Sequence, residues 1–248
     1  FQPLAHAKGF FGLNFTALIC NRNSAIFSAG SSRASMPRKY EVWIDGRLLV
    51  VCDKAHVSTG CQQVLTIEVN SRADITGALS VWRERPDLGT LVLHGRTVEA
   101  VWDLFREMHV FVQAAGGCVT DEHGRLLAIQ RLGMWDLPKG KVEVDEAIGA
   151  AALREVREEC GLVTLDPVRR LCETWHTYER KGQQHLKRTD WYLMRGNSRD
   201  PLVAQSEEDI TGVRWLDRAE VKAMRAATYP SLRSVIDAWT SAVGLSTT

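Results

Sequence analysis

A chain of 248 residues that is 45% hydrophobic and 25% charged has the balance of a folded protein with a substantial core. Its 8 Trp, 7 Phe and 4 Tyr exclude disorder over the whole length. The longest apolar run, Phe10 to Cys20, is broken by Asn14 and falls short of the roughly 18 residues a membrane-spanning helix needs. Five basic and no acidic residues precede Glu41, so the rest carries 26 basic against 30 acidic groups, or −4, a poor surface for nonspecific nucleic-acid binding.

In chain order, residues 1–35 are acid-free and Ser-rich. They read as a disordered leader or a mis-assigned start ahead of Met36, the alternatives being a targeting segment and a structured arm. From Tyr40, two β-rich runs flank Asp45-Gly46, a two-residue hairpin signal. A strand follows at Val64–Val69. Asp74 is expected to cap a helix with Ile75, Leu79 and Trp82 on one face. Thr90–His94 is a strand, and Thr97 caps a helix with Val98, Val101, Phe105 and Met108 at helical spacing. Residues 36–110 thus form a small α/β module of unassigned role. Over 111–228 come a strand–turn–strand around Asp121 to Gly124, a loop entering a helix, two strands about the polar turn Arg180 to Gln184, the strand GVRWLD and a helix at Arg218–Arg225. Residues 229–248 give a C-terminal amphipathic helix and tail. The six cysteines lack C-x-x-C spacing, which suits reduced thiols in the cytoplasm better than a disulfide or zinc framework.

Chemistry concentrates between Gly140 and Leu162. The segment reads G-x5-E-x7-R-E-V-x-E-E-x-G-L, and its seven fixed residues would coincide by chance in roughly one window in 10⁸ at average composition. It matches the Nudix box at every specified position, and the chain resembles the Nudix hydrolases, including MutT-like and dinucleoside polyphosphate hydrolases. The resemblance implies an α/β/α sandwich with a mixed sheet. It also implies Glu155, Glu158 and Glu159 as metal ligands and Gly140 as a carbonyl contributor.

The residue types make sense on their own terms. If Asp145 starts a helix that Gly161 ends, Glu155, Glu158 and Glu159 share one face, beside the apolar stripe Ile148, Ala152, Val156 and Cys160. Three carboxylates against a buried surface repel and are desolvated. A hard divalent cation, Mg²⁺ with Mn²⁺ as substitute, relieves both problems. Arg154 pairs with Glu158 and Glu146 to hold the acids in shape. Gly140 is expected to turn the backbone tightly, and Lys139 and Lys141 place positive charge near an anionic substrate. Glu158 is the candidate general base, with Arg154 and Glu146 as its catalytic partners.

Outside the box, Glu207 and Glu208 occupy the loop where many Nudix enzymes supply a further metal ligand or base. Trp135, His176, Tyr178, Trp191 and Tyr192 are aromatic candidates for flanking a base or sugar; Arg131 and Arg188 are candidates for phosphate. The NADH-pyrophosphatase array S-Q-P-W-x-F-P is absent. The position fifteen residues after the box is Thr177 rather than the Pro of many ADP-ribose enzymes. Tyr178, sixteen after, suits dinucleoside polyphosphate enzymes. These features predict a Mg²⁺-dependent pyrophosphohydrolase of a nucleoside diphosphate linked to another moiety, such as a dinucleoside polyphosphate or an oxidised NTP. Its partners would be small nucleotides or polyphosphates rather than nucleic acid or membrane, with a homodimer compatible. The alternatives are a nucleotide-sensing regulator without turnover, a diphosphoinositol polyphosphate hydrolase, and an RNA 5′-end pyrophosphohydrolase. A sensor would be favoured by loss of a box carboxylate, and none is lost.

Overall fold

The structure, a computed structural model, describes residues 39–53 and 63–244. The expected leader 1–35 lies outside them, as do Cys20 and Cys61. The described residues divide into two compact units, one holding 39–40 and 49–105 and the other 41–48 with 106 onward.

In the first unit, β2 (Arg47–Val51), β4 (Leu88–His94) and β3 (Gln63–Glu68) are neighbours in that order, with β3 and β4 parallel and Leu65 opposite Leu91. Between them runs α1 (Arg72–Glu84), which buries Ile75, Ala78, Leu79 and Trp82, the face its period predicts. Its cap differs from expectation. Ser71 is the N-cap, and Asp74 is the third helical residue, whose carboxylate reaches back to the Asn70 and Ser71 N–H groups at 2.9 and 2.8 Å. Such a capping box satisfies amides that a helix start leaves unpaired. The second helix, α2 (Val98–Arg106), buries Val98, Val101, Trp102 and Phe105. Thr97 Oγ1 accepts from the Ala100 N–H at 3.1 Å, whereas Met108 lies beyond the helix end.

The second unit is an α/β sandwich on a mixed sheet. Its strands run β11 (Ile210–Leu216), β6 (Leu126–Arg131), β5 (Val110–Thr120), β10 (Gln183–Gly196), β9 (Leu165–Arg180) and β1 (Tyr40–Ile44). Short strands β7 (Met134–Asp136) and β8 (Lys139–Lys141) pair with β6 and β5. β10 is parallel to β5 from His185 opposite Val110 to Arg195 opposite Thr120, and antiparallel to β9 across a tight turn at Lys181-Gly182. β1 pairs in parallel with β9, Val42 opposite Trp175.

Successive strand residues face opposite sides, and two cores follow from that. Ala115, Val119, Leu127 and Ile129 pack with Ala151, Ala152, Val156 and Cys160 of α3 (Ile148–Cys160). Cys118, Leu126, Ala128 and Trp191 pack with Val221 and Met224 of α4 (Arg218–Ala227) and with Leu232, Val235, Ile236 and Trp239 of α5 (Pro230–Ala242). Trp191 is therefore core, its indole N–H donating to Thr174 Oγ1 at 2.9 Å, and not a ligand platform. Among the described residues, no helix is long and apolar enough to cross a membrane, and the described cysteines (Cys52, Cys118, Cys160 and Cys172) are free thiols.

Candidate active site

The loop from β8 leads into α3 without the helix starting at Asp145. Asp145 sits at φ 63°, Ala147 is the extended N-cap, and the helix begins at Ile148. Glu146 stays outside because its side chain is used elsewhere: Oε2 accepts the Glu143 N–H at 3.0 Å, and both oxygens accept from Arg154 at 2.9 Å. At the far end Gly161, at φ 76°, closes the helix with its N–H on the Arg157 carbonyl at 2.8 Å. A left-handed residue there favours glycine.

Arg154 is the hub of the box. Besides its fork on Glu146, Nη1 donates to Glu155 Oε1 at 2.8 Å and to Glu158 Oε2 at 2.9 Å, while Nη2 also donates to the Lys141 carbonyl at 2.9 Å. One planar cation thus ties the entry loop to the helix, geometry that a lysine's point charge cannot reproduce. Glu146 is held down at about 2 by this pairing.

The three box carboxylates do not share one environment. Glu159 is 1% exposed and Glu155 9%, whereas the Glu158 side chain is 48% exposed. Burial raises the Glu159 carboxyl to about 7, although Lys139 opposes the shift with its charge and a backbone N–H 2.8 Å from Oε2. Burial also raises Glu155, against Arg154. Gly140 does not make the tight turn expected of it. It lies within β8 opposite Ala115, and a Cβ there would come within 1.9 Å of Glu155 Oε2. Its missing side chain makes room for the carboxylate.

The donor set fits a hard divalent cation. It consists of carboxylate oxygens, two of the three acids being buried with their ionised forms disfavoured, which a bound cation would reverse. Glu155 Oε2, Glu158 Oε1 and Glu159 Oε1 accept no hydrogen bond among the described residues. With Arg154 and the Lys139 amide holding the other oxygens, no three His, Cys, Asp or Glu side chains already converge as a metal cage among the described residues.

The distal loop brings Glu208 to this cluster but treats Glu207 differently. Glu208 Oε2 accepts from Arg131 Nη2 at 3.1 Å, and its charge raises Glu155. Glu207 is exposed, with Ser206 Oγ at 3.3 Å from its carboxylate. Two backbone bonds fix the loop to the end of α3: Val203 N–H to the Cys160 carbonyl, 2.9 Å, and Gln205 N–H to the Glu159 carbonyl, 3.3 Å. Arg131 is therefore half of an ion pair rather than a free phosphate contact.

The remaining candidates separate by sheet face. Arg188 lies on the α3 side, where it and Arg170 pair with Glu173 and the buried Asp190. Tyr192 packs against Gly149 of α3. Neither stands with the box carboxylates. On the other face, His176 sits opposite Lys187, and Tyr178 stacks on His185 with ring centroids 5.0 Å apart. Trp135 carries Arg214 over its ring at 5.8 Å and accepts from Thr228 Oγ1 through its carbonyl. Lys139 Nζ is paired with Asp136, and Lys141 is exposed. Asp136 and Lys187 were missed by the sequence reading. The signal was the alternation Lys187, Thr189, Trp191, which points a lysine to the same face as a buried tryptophan.

A family model for the NUDIX domain matches residues 110–238. The chain belongs to the NUDIX family. As a Nudix hydrolase it acts on phosphoric anhydride bonds. It is 31% identical over 126 residues to an RNA pyrophosphohydrolase of Dinoroseobacter shibae, covering 44% of this chain and 78% of that protein. It is 27% identical over 119 residues to Nudix hydrolase 25 of Arabidopsis thaliana, covering 40% and 67%. Among solved structures it is similar to a C. elegans Ap4A hydrolase, with 25% identity and a TM-score of 0.43 over 53% of this chain and 97% of the other.

Proposed function

We propose that this Nudix hydrolase is a cytoplasmic, Mg²⁺-dependent pyrophosphohydrolase of nucleoside polyphosphates, with 111–228, its core completed by α5, as the hydrolytic domain. The observation that carries the reading is the Arg154-centred array, with Glu155 and Glu159 buried, each keeping one oxygen without a hydrogen bond among the described residues. Glu155, Glu158 and Glu159 would hold the cation, joined by Glu208 and the Gly140 carbonyl. When bound, it would neutralise charge on the phosphoryl oxygens and acidify the attacking water.

The chain's own groups supply the rest. Arg154 and Glu146 fix the helix to its entry loop, so that the carboxylates meet the substrate already oriented. Glu158, exposed and oriented by Arg154, takes the proton from the water that attacks phosphorus in line. Lys139 and Lys141 favour the anionic chain. Trp135 and Tyr178 are the candidates for flanking an aromatic base.

The test is hydrolysis of a panel of dinucleoside polyphosphates, oxidised dNTPs, ADP-ribose and diphosphoinositol phosphates, with Mg²⁺ and with excess chelator. Cleavage of a P–O–P bond only with metal supports the reading, and full activity in chelator would remove it. A second reading, pyrophosphate removal from RNA 5′ ends, is favoured by the 31% identity to a protein named RNA pyrophosphohydrolase. A triphosphorylated RNA added to the panel separates the two.

A further inference from the structure

The segment from Asp136 to Lys139 joins β7 to β8 and ends on a box carboxylate. Asp136, opposite Ile129 in the sheet, is 4% exposed. Its Oδ1 accepts the Leu137 N–H at 2.7 Å, and its Oδ2 accepts from the Lys139 ammonium. The same ammonium lies 3.4 Å from the Leu137 carbonyl. Between these two residues, the Pro138 carbonyl accepts the Gly117 N–H of β5 at 3.0 Å. The segment presses so closely on β5 that a Cβ at Gly116 would come within 2.5 Å of the Pro138 oxygen. Held at these points, it delivers the Lys139 N–H to Glu159 Oε2 at 2.8 Å.

A buried ion pair adds little net stability, because desolvating two charges offsets their attraction. What the Asp136–Lys139 pair supplies is geometry, closing a loop of four residues around one backbone amide. Asp121 offers a comparison within the same chain. It is also buried, at 6% exposed, and it braces the β5–β6 turn through the His123 and Arg125 N–H groups and the Arg125 guanidinium. Its bonds stay within that turn, whereas those of Asp136 run on through Lys139 to Glu159. A carboxylate as deep as Glu159 presents its second oxygen in one direction only if its first is fixed, and groups that orient a metal ligand in this way matter nearly as much as the ligand.

We infer that Asp136 is a positioning residue of this enzyme: through the Lys139 ammonium it fixes residues 137–139, so that the Lys139 N–H holds Glu159 Oε2 and leaves Oε1 for a divalent cation. The inference rests on the proposed role of Glu159 as a cation ligand and deepens it.

The test titrates the full chain, stripped of metal, with Mn²⁺ by calorimetry and follows hydrogen exchange at the Lys139 amide by NMR. Asp136→Asn keeps an oxygen for the Leu137 N–H but turns a donor toward the ammonium. It should weaken Mn²⁺ binding at least tenfold, within the range of about 10–100-fold typical of such partners, and speed exchange at the Lys139 amide at least tenfold. Asp121→Asn removes an equally buried carboxylate and should change neither by more than about twofold. Lys139→Met keeps the backbone N–H and should weaken Mn²⁺ as much as Asp136→Asn. The double variant should lose no more than either, since both changes remove one bond. It leaves no buried charge of the pair alone, so it carries the comparison with Asp121→Asn if a single variant fails to fold. On a cleaved substrate, Asp136→Asn should raise the Mg²⁺ concentration for half-maximal rate at least tenfold, with kcat at saturating Mg²⁺ within about fivefold. Mn²⁺ affinity in Asp136→Asn within twofold of wild type, an equal loss in Asp121→Asn, or additive losses in the double variant would each overturn the inference. A wild type that binds no Mn²⁺ defeats the cation reading and this inference with it. A wild type that binds Mn²⁺ and cleaves beside an unaffected Asp136→Asn defeats the role of Asp136 alone.

Discussion

The carboxylate of Glu155 rests against the bare Cα of Gly140, so that a Cβ there would lie 1.9 Å from Oε2 and 2.1 Å from Cδ. The acid cannot simply retreat, because Arg154 Nη1 holds its other oxygen at 2.8 Å. Gly140→Ala should therefore displace Glu155 and lower kcat/KM at least 100-fold. Overpacking should also lower unfolding free energy by about 1–3 kcal/mol. Paired kinetics and urea denaturation test this, and an alanine variant with activity within threefold would refute the steric account.

Arg154 bridges Glu146, Glu155 and Glu158 at once. Arg154→Lys cannot reproduce that fork, so rescue should be poor, with kcat falling 10-fold or more while the fold is retained. Arg154→Gln should additionally lose about 2–3 kcal/mol of stability, because Glu155 stays buried without its cation. Full activity in Arg154→Lys would mean that charge alone suffices.

Two carboxylates compete for the role of base. If Glu158 removes the proton, Glu158→Gln should lower kcat by about 10²–10⁴-fold with little change in KM. Glu208→Gln should lose less, mainly through metal affinity, and recover in part with added Mn²⁺. The reverse order of losses would assign the base to the distal loop beside Arg131.

His176 is pushed down to about 4, chiefly by burial and then by Lys187 and Lys139. The unfolded chain takes up this proton near its ordinary 6.5 and the folded chain only near 4, so the contribution is fully present above pH 6.5. It is lost as pH falls from 6.5 to 4, by roughly 3 kcal/mol. His176→Gln should remove that slope, which urea unfolding at pH 7.5, 5.5 and 4.5 would detect. Parallel pH profiles for the two proteins would contradict it.

The helix after residue 228 belongs to the core rather than to a tail. Leu232, Val235, Ile236 and Trp239 pack with Cys118, Leu126 and Trp191, and the Trp239 indole donates to Thr120 Oγ1 at 2.8 Å. Truncation after 228 should abolish cooperative unfolding, since several large side chains at about 1.5–3 kcal/mol each would leave the core together. A sharp melting transition in the truncated chain would show α5 to be dispensable.

The sequence by itself determined the elements whose information is local. Asp45-Gly46 marked a hairpin turn, Gly161 a helix end, and the 3.6-residue period of Ala152, Val156 and Cys160 a buried helix face. The box spacing named the acids and Arg154, because all lie within one helix and its entry loop. Tertiary structure alone decided what the acids experience. Glu155 and Glu159 are buried while Glu158 faces solvent, since burial depends on β5 and β8 lying beneath the helix. It also decided which cations keep partners: Arg131 meets Glu208 from 77 residues away, and Arg188 meets Asp190 within its own strand only because that face is covered. Lys187 stands opposite His176 because β10 pairs with β9. That pairing is fixed by strand register across long stretches of chain, which no local pattern of residues encodes.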